Sequence, residues 1–254
     1  MKLKKLSLFI VYFFLAFASK AQVIPVFHVK PTDGDKKSDA KPKPKVVYKE
    51  KIIYRDKPVE STGSKVNPEP QNNLPAIEMV NVGNFSIGKY EVTQAQWVAV
   101  MGSNPSYFKG DNLPVEQVSW DDIQVFLQKL NSLTGKNYRL PTEAEWAFAA
   151  KGGSQSHGYD YAGSNDANAV AWSNDNSGNA THPVGQKQPN ELGIYDLSGN
   201  VEEWCSDWTD GSHIYRVYRG GSWCGPASYC RVAHSPSTPG GRGFYLGFRL
   251  VSPE

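Results

Sequence analysis

The sequence predicts an α+β domain of low regular secondary structure running from residue 77 to the C-terminus, preceded by a disordered linker and an export signal. Three observations carry this reading. Between residues 93 and 153 three capping signals each introduce an apolar stretch of helical spacing. Short strand signals stand at both ends of the same region. The stretch after Gly153 is rich in Gly, Asn, Ser, Pro and Trp and has little periodicity, as expected of long loops packed by aromatic side chains.

The chain starts with Met1-Lys2-Leu3-Lys4-Lys5, an apolar run from Leu6 to Ala18, and the small-residue site Ser19-Lys20-Ala21. This reads as a secretory signal peptide over residues 1–21. The run is shorter than a bilayer span, and the rest of the sequence has none that approaches one, so no membrane span is expected after signal removal. The mature chain is then expected in the periplasm, at the cell surface or in the medium, where disulfides persist.

Residues 22–76 are rich in Lys, Pro, Asp and Ser, too poor in apolar side chains to offset the entropy of ordering, and read as a linker. Within it Val46-Val47-Tyr48-Lys49-Glu50-Lys51 is followed by the similar Ile52-Ile53-Tyr54-Arg55-Asp56-Lys57, read as an extended spacer with some β-propensity. The linker has 11 Lys/Arg against 7 Asp/Glu, whereas residues 77–254 have 12 against 18. An acidic domain without a basic stripe is not expected to bind nucleic acid, where phosphate neutralisation dominates affinity.

The domain opens with an expected strand pair, Ile77–Val80 and Asn84–Gly88, joined by a turn at Gly83-Asn84. Thr93-Gln94-Ala95-Gln96, Ser119-Trp120-Asp121-Asp122 and Thr142-Glu143-Ala144-Glu145 are capping boxes. The second precedes Ile123, Phe126, Leu127 and Leu130, an i, i+3, i+4, i+7 stripe that stops at Gly135, and the third helix is expected to end at Gly152-Gly153. Further strands are expected at Tyr215–Arg219 and Gly243–Val251.

These landmarks fall in a specific order. Tyr90-Glu91-Val92-Thr93, Pro114-Val115-Glu116-Gln117-Val118-Ser119-Trp120 and Tyr138-Arg139-Leu140-Pro141-Thr142-Glu143-Ala144-Glu145-Trp146 come first. Asn190-Glu191-Leu192-Gly193-Ile194-Tyr195-Asp196-Leu197-Ser198-Gly199-Asn200-Val201, Arg219-Gly220-Gly221-Ser222-Trp223 and Leu246-Gly247-Phe248-Arg249-Leu250 follow. Over residues 77–254 the chain resembles the formylglycine-generating enzyme (sulfatase-modifying factor) family. The resemblance implies a C-type-lectin-like fold, bound Ca2+, and a groove for an extended peptide. In active members a cysteine of an exported partner such as a sulfatase is oxidised by molecular oxygen, with Cu(I) on two thiolates, ligands whose softness suits that ion.

The resemblance implies Ca2+ ligands at Asp196 (side chain), Gly199 and Val201 (backbone carbonyls) and Glu203 (side chain), a hard-oxygen set suited to the ion. The Asn174–Asn179 cluster is either a second such site or an Asn-rich turn. The copper pair of the family is Cys-x4-Cys, whereas Cys224 and Cys230 here form Cys-x5-Cys. Anchored on Gly220-Gly221-Ser222, Cys230 aligns with the second catalytic cysteine; anchored on the downstream motifs, the preferred register, it falls beyond the pair. The family's Asn-x-Trp-Glu-Trp is here Asn200-Val201-Glu202-Glu203-Trp204, with Glu202 in place of a tryptophan.

Three cysteines allow one bridge and one free thiol. Cys205–Cys230 is the leading pair, closing a loop of about 25 residues for about 3 kcal/mol; a Cys224–Cys230 bridge and a copper site are the alternatives. The five histidines have no ligand spacing, and the chain has neither a phosphate-binding glycine loop nor a Gly-x-Ser-x-Gly elbow.

Two functions follow from these signals. The first is a diverged, calcium-stabilised exported module that binds a protein, an extended peptide or a glycan without oxidising it. The second is a copper-dependent cysteine oxidase using Cys224 and Cys230, with Ser222 positioning oxygen or substrate.

Overall fold

The computed structural model describes residues 74–209, 211, 213–234 and 241–253, all within the unit Lys65–Glu254. The signal peptide, residues 22–73 of the linker and the 46–57 repeat lie outside the described residues.

All three expected capping boxes form. Thr93, Ser119 and Thr142 each accept from the backbone N–H three residues on, while Gln96, Asp122 and Glu145 reach back to the cap N–H. They start α1 (Gln94–Met101), α2 (Trp120–Thr134) and α3 (Glu143–Ala150). Gly102 and Gly135 close α1 and α2 in the left-handed conformation. The third helix stops earlier than expected, at a right-handed Lys151 cap. Beside its cap, Arg139 grips Glu145 through two 2.6 Å hydrogen bonds. The stripe Ile123, Phe126, Leu127 and Leu130 is buried, each side chain contributing about 1.5–3 kcal/mol. It packs with Trp97, Tyr138, Trp204 and Phe248, and Trp97 stacks on Phe126 with centroids 5.0 Å apart.

The strands form two three-stranded sheets. In the first, β1 (Met79–Asn81) and β2 (Phe85–Gly88) make the expected pair, and β6 (Val251–Pro253) joins β2 from the end of the chain. In the second, β3 (Glu202–Trp208) lies between antiparallel β4 (Arg216–Arg219) and parallel β5 (Leu246–Gly247). The expected strand over 243–251 is therefore split: Phe248, Arg249 and Leu250 form neither ladder and run between the sheets. A short helix α4 (Ala167–Val170), capped by Asp166, interrupts the loop region.

The loops are ordered by polar side chains. Asn190 is buried, donates to Ala149 O and accepts from Leu192 N and Ile194 N. Asn176 ties the Asn174–Asn179 segment to the residues before it, accepting from Ser173 N and donating to Ala171 O and Asn168 Oδ1. Gly199 is required as glycine: at φ 80° an added Cβ would lie 2.3 Å from the carbonyl oxygen of Trp172.

Candidate functional site

Successive residues of a strand point to opposite faces, so β3 sends Glu203 to one side and Glu202 to the other. On the first side Glu203 is fully buried. Its two oxygens each accept from Arg249 at 2.6 Å, through Nη2 and Nε, and one also accepts from Trp146 Nε1 at 2.8 Å. The guanidinium, equally buried, donates onward to Gly88 O and Tyr195 O at 2.9 Å. It thus ties β2, the 195 turn and β3 together.

Two more carboxylates share this interior. Glu91 accepts from Asn200 Nδ2 at 2.6 Å and from Val201 N at 3.0 Å, and Asn200 also holds both backbone polar groups of His182. Asp196, at a left-handed φ of 59°, accepts from Gly185 N at 2.7 Å through Oδ2, while its buried Oδ1 has no partner among the described residues. Burial pushes the Asp196 carboxyl up to about 6, the nearby Glu203 charge adding to it against Arg249. Burial, with Asp196 and Glu203 close by, also holds Glu91 well above the usual carboxylate range. Three carboxylates against one guanidinium leave the ionised cluster short of positive charge.

The structure places Asp196 and Glu203 in one buried polar cluster and adds Glu91 and Arg249 to it. Both were present in the sequence motifs, but as words without a role. The available signal was Arg249 itself, a charge inside the apolar run Leu246-Gly247-Phe248-Arg249-Leu250-Val251, which marks a buried cation that needs a counterion. Among the described residues no group of three or more His, Cys, Asp or Glu side chains is placed to hold a metal ion. A cation here would need backbone carbonyls as well as Asp196 and Glu203.

On the other face of β3 lie Glu202, Ser222, Cys224 and Tyr245. The turn Arg219-Gly220-Gly221-Ser222 packs against the 3-10 turn Ala227–Cys230 so closely that a Cβ on Gly221 would come within 2.7 Å of the Tyr229 carbonyl carbon. Cys224 is exposed, with its Sγ 3.6 Å from Ser222 Oγ, whereas Cys230 is fully buried. Burial, with Glu202 and Asp175 adding, pushes the Cys230 thiol up to about 12. Burial also holds the Cys224 thiol above its ordinary range, with the Ser222 hydroxyl opposing.

The expected Cys205–Cys230 bridge is not formed: all three cysteines are free thiols. The reason is packing. Cys205 sits among Trp146, Ile194, Leu197 and Val217, while Cys230 sits in a separate apolar group with Tyr161, Val170 and Ala171. The alternative Cys224–Cys230 bridge is absent too.

Glu202 is only 8 % exposed, and among the described residues its carboxylate makes neither a hydrogen bond nor an ion pair. Burial pushes it up to about 7. Beside it Tyr245 O accepts from Glu202 N, and a chain of ring contacts runs from Tyr245 through Phe244 to Trp223, Phe108 and Tyr107.

The comparisons agree with this architecture. The sulfatase-modifying factor enzyme 1-like domain family (FGE-sulfatase) matches residues 36–253, beginning inside the segment read as linker. A "Chaperone protein LppX" of Paenibacillus barcinonensis is 36 % identical over 209 residues, covering 61 % of this chain and 75 % of its own. The formylglycine-generating enzyme of Streptomyces coelicolor is 32 % identical, covering 63 % of this chain; the chain spans only 59 % of that enzyme. An "Inactive C-alpha-formylglycine-generating enzyme 2" of Bos taurus is 34 % identical, over 63 % of this chain and 57 % of its own. Among solved structures, Treponema denticola variable protein 1 superposes with a TM-score of 0.63 at 35 % identity, covering 67 % of this chain and 84 % of that one. CarF superposes at 0.59 and 29 % identity, covering 71 % and 99 %. The fold is the C-type-lectin-like one expected from the motifs, and the chain belongs to the sulfatase-modifying factor enzyme 1-like family.

Proposed function

We propose that this chain is a diverged, exported member of the family that binds an extended peptide on the surface around the exposed Cys224 and does not oxidise it. The observation that carries the reading is the inequality of the two thiols: Cys224 is exposed while Cys230 is buried in apolar packing. A Cu(I) centre needs two thiolates facing one ion. Glu202, where the resemblance implies a tryptophan in active relatives, is a second departure from the oxidase pattern. Two relatives bear names in keeping with this reading, one a chaperone protein and one an inactive enzyme. Among the described residues no helix is long and apolar enough to cross a membrane.

We also infer calcium at the Asp196 turn. The support is the unpartnered, buried Asp196 Oδ1 together with the surplus of carboxylates over Arg249. Asp196 and Glu203 would hold the ion with the Gly199 and Val201 carbonyls, and it would supply the missing positive charge. Its part is structural, since it would tie the 196–203 turn to the domain.

The test is Cu(I) titration of the purified chain with native and denatured thiol counts. One reactive thiol in the native state and weak copper binding support the binding module. Tight binding of one Cu(I), lost in both Cys224→Ser and Cys230→Ser, would restore the oxidase reading, which the Ser222–Cys224 contact favours.

A further inference from the structure

We propose that the cavity of about 240 Å3 between the start of α2, the end of β3 and the start of β4 binds one neutral saccharide unit, held through its hydroxyls by Arg216 and Asp121. The cavity shares no residue with the Glu203 cluster or with the surface around Cys224, so the proposal is independent of the peptide reading.

The first argument is that the cavity is prebuilt. The Arg216 guanidinium lies 3.8 Å from the ring centre of Trp120 and 3.4 Å from that of Trp208. Its Nη1 donates to Ser206 O. The indole N–H groups of Trp120 and Trp204 are spent on the backbone, on Cys205 O at 3.3 Å and Val118 O at 3.0 Å. These contacts hold the plane of the guanidinium without help from a ligand, so little ordering entropy is left to lose on binding.

The second argument is what the wall leaves unspent. A guanidinium carries five N–H donors. Among the described residues only Nη1 of Arg216 has an acceptor, and the buried Nε has none. Asp121 is exposed on the same wall, and among the described residues its carboxylate makes no hydrogen bond and no ion pair. Donor and acceptor therefore stand near each other without pairing. Two neighbouring hydroxyls answer both, one oxygen accepting from the guanidinium while the next donates to the carboxylate. The rim supplies apolar contact for the ring's C–H groups, since Ile214 is 65 % exposed and Trp208 37 %.

The third argument excludes charged ligands. A cation would need an open aromatic face. Arg216 occupies one face of Trp208 and His213 stacks on the other, with ring centroids 5.3 Å apart. An anion would meet two carboxylates, Asp121 and Asp207, whose charges both act on Arg216. The neighbouring Arg242 adds no surplus, because it is paired with Asp122 at 2.8 Å. A neutral polyol is the class that remains. The cavity is smaller than the roughly 300–1,000 Å3 of drug-sized sites, which limits it to one ring at a time.

The experiment is saturation-transfer NMR on the full mature chain with the methyl glycosides of glucose, galactose, mannose and N-acetylglucosamine, set against methyl glucuronide and glucosamine. At least one neutral glycoside is expected to bind with a Kd on the order of 1 mM and to lose about ten-fold in affinity in Asp121→Asn. Arg216→Lys, which keeps the charge but not the planar fork, is expected to weaken it as well. Both variants must melt as cooperatively as the parent; should Arg216→Lys fail to do so, the exposed Asp121→Asn decides alone. Saturation of no glycoside, a preference for the glucuronide or for glucosamine, or binding unchanged in Asp121→Asn would overturn the proposal.

Discussion

Replacing Arg249 by methionine keeps much of the apolar stem and removes the guanidinium on which Glu203 depends. The structure makes the consequence large, because both partners are fully buried and the same interior holds Glu91 and Asp196. Breaking a buried pair by deleting one partner costs about 3–5 kcal/mol. For a domain of this size each kcal/mol moves Tm by about 2–4 °C, so Arg249→Met should lower Tm by about 6–20 °C at pH 7.5. The loss must also depend on pH. Without the cation, the native carboxylates hold their protons to higher pH than the unfolded ones, so the native state binds more protons and stability falls as pH rises. The deficit should therefore be smaller at pH 5 than at pH 7.5. Urea denaturation of wild type, Glu203→Gln, Arg249→Met and the double variant at both pH values isolates the coupling from the packing loss. A deficit of less than about 1 kcal/mol, or one equal at the two pH values, would refute the claim that this ion pair compensates the cluster.

Further outcomes follow from the same geometry. Asp196 is raised from an ordinary 3.8 to about 6, so the native state takes up the proton first and stability should fall as pH rises between these values, by up to about 3 kcal/mol; Asp196→Asn should flatten that fall in urea titrations. Calcium should raise the wild-type Tm at pH 7.5 and chelator should reverse it, with Asp196→Asn losing the response; an unchanged Tm would remove the calcium proposal. A thiol reagent should label Cys224 in the native chain and reach Cys205 and Cys230 only after unfolding, read by mass spectrometry of the labelled peptides. Gly199→Ala should cost at least about 3 kcal/mol, because its Cβ meets backbone atoms of Trp172 rather than a movable side chain.

The helical half of the fold was legible because its signals are local. A hydroxyl three residues before Gln96, Asp122 or Glu145 defines a helix start without reference to the rest of the chain, and the Ile123-to-Leu130 stripe states which face is buried. The strand β3 was not legible. Glu202-Glu203-Trp204-Cys205-Ser206-Asp207-Trp208 has no apolar/polar alternation, because both of its first two acids are buried, one through a guanidinium that arrives from residue 249. The cysteine pairing failed for a related reason. Loop-closure entropy depends on separation along the chain, while the pairing is decided by which apolar group receives each thiol.

The contrast between Glu202 and Glu203 also bears on how such a scaffold can lose one chemistry and keep its fold. On the Glu203 side the domain is held by the Arg249 bridge between β2 and β3, the Asn200 hub and α3, whose Trp146 donates to Glu203. The Glu202 side carries Ser222, Cys224 and the aromatic wall on turns whose backbone is fixed by glycines such as Gly221 rather than by those side chains. Substitution of those side chains leaves the Arg249–Glu203 pair and its neighbours in place. Glu202 keeps 8 % exposure where Glu203 has none, so its carboxylate retains contact with solvent. The same carboxylate placed one residue on, without Arg249, would destabilise the domain by the full cost of an uncompensated buried charge. The stability of Glu202→Gln against that of Glu203→Gln therefore separates the two faces. The first is expected to rise and the second to fall, and a fall in both would mean that Glu202 belongs to the framework rather than to the cleft.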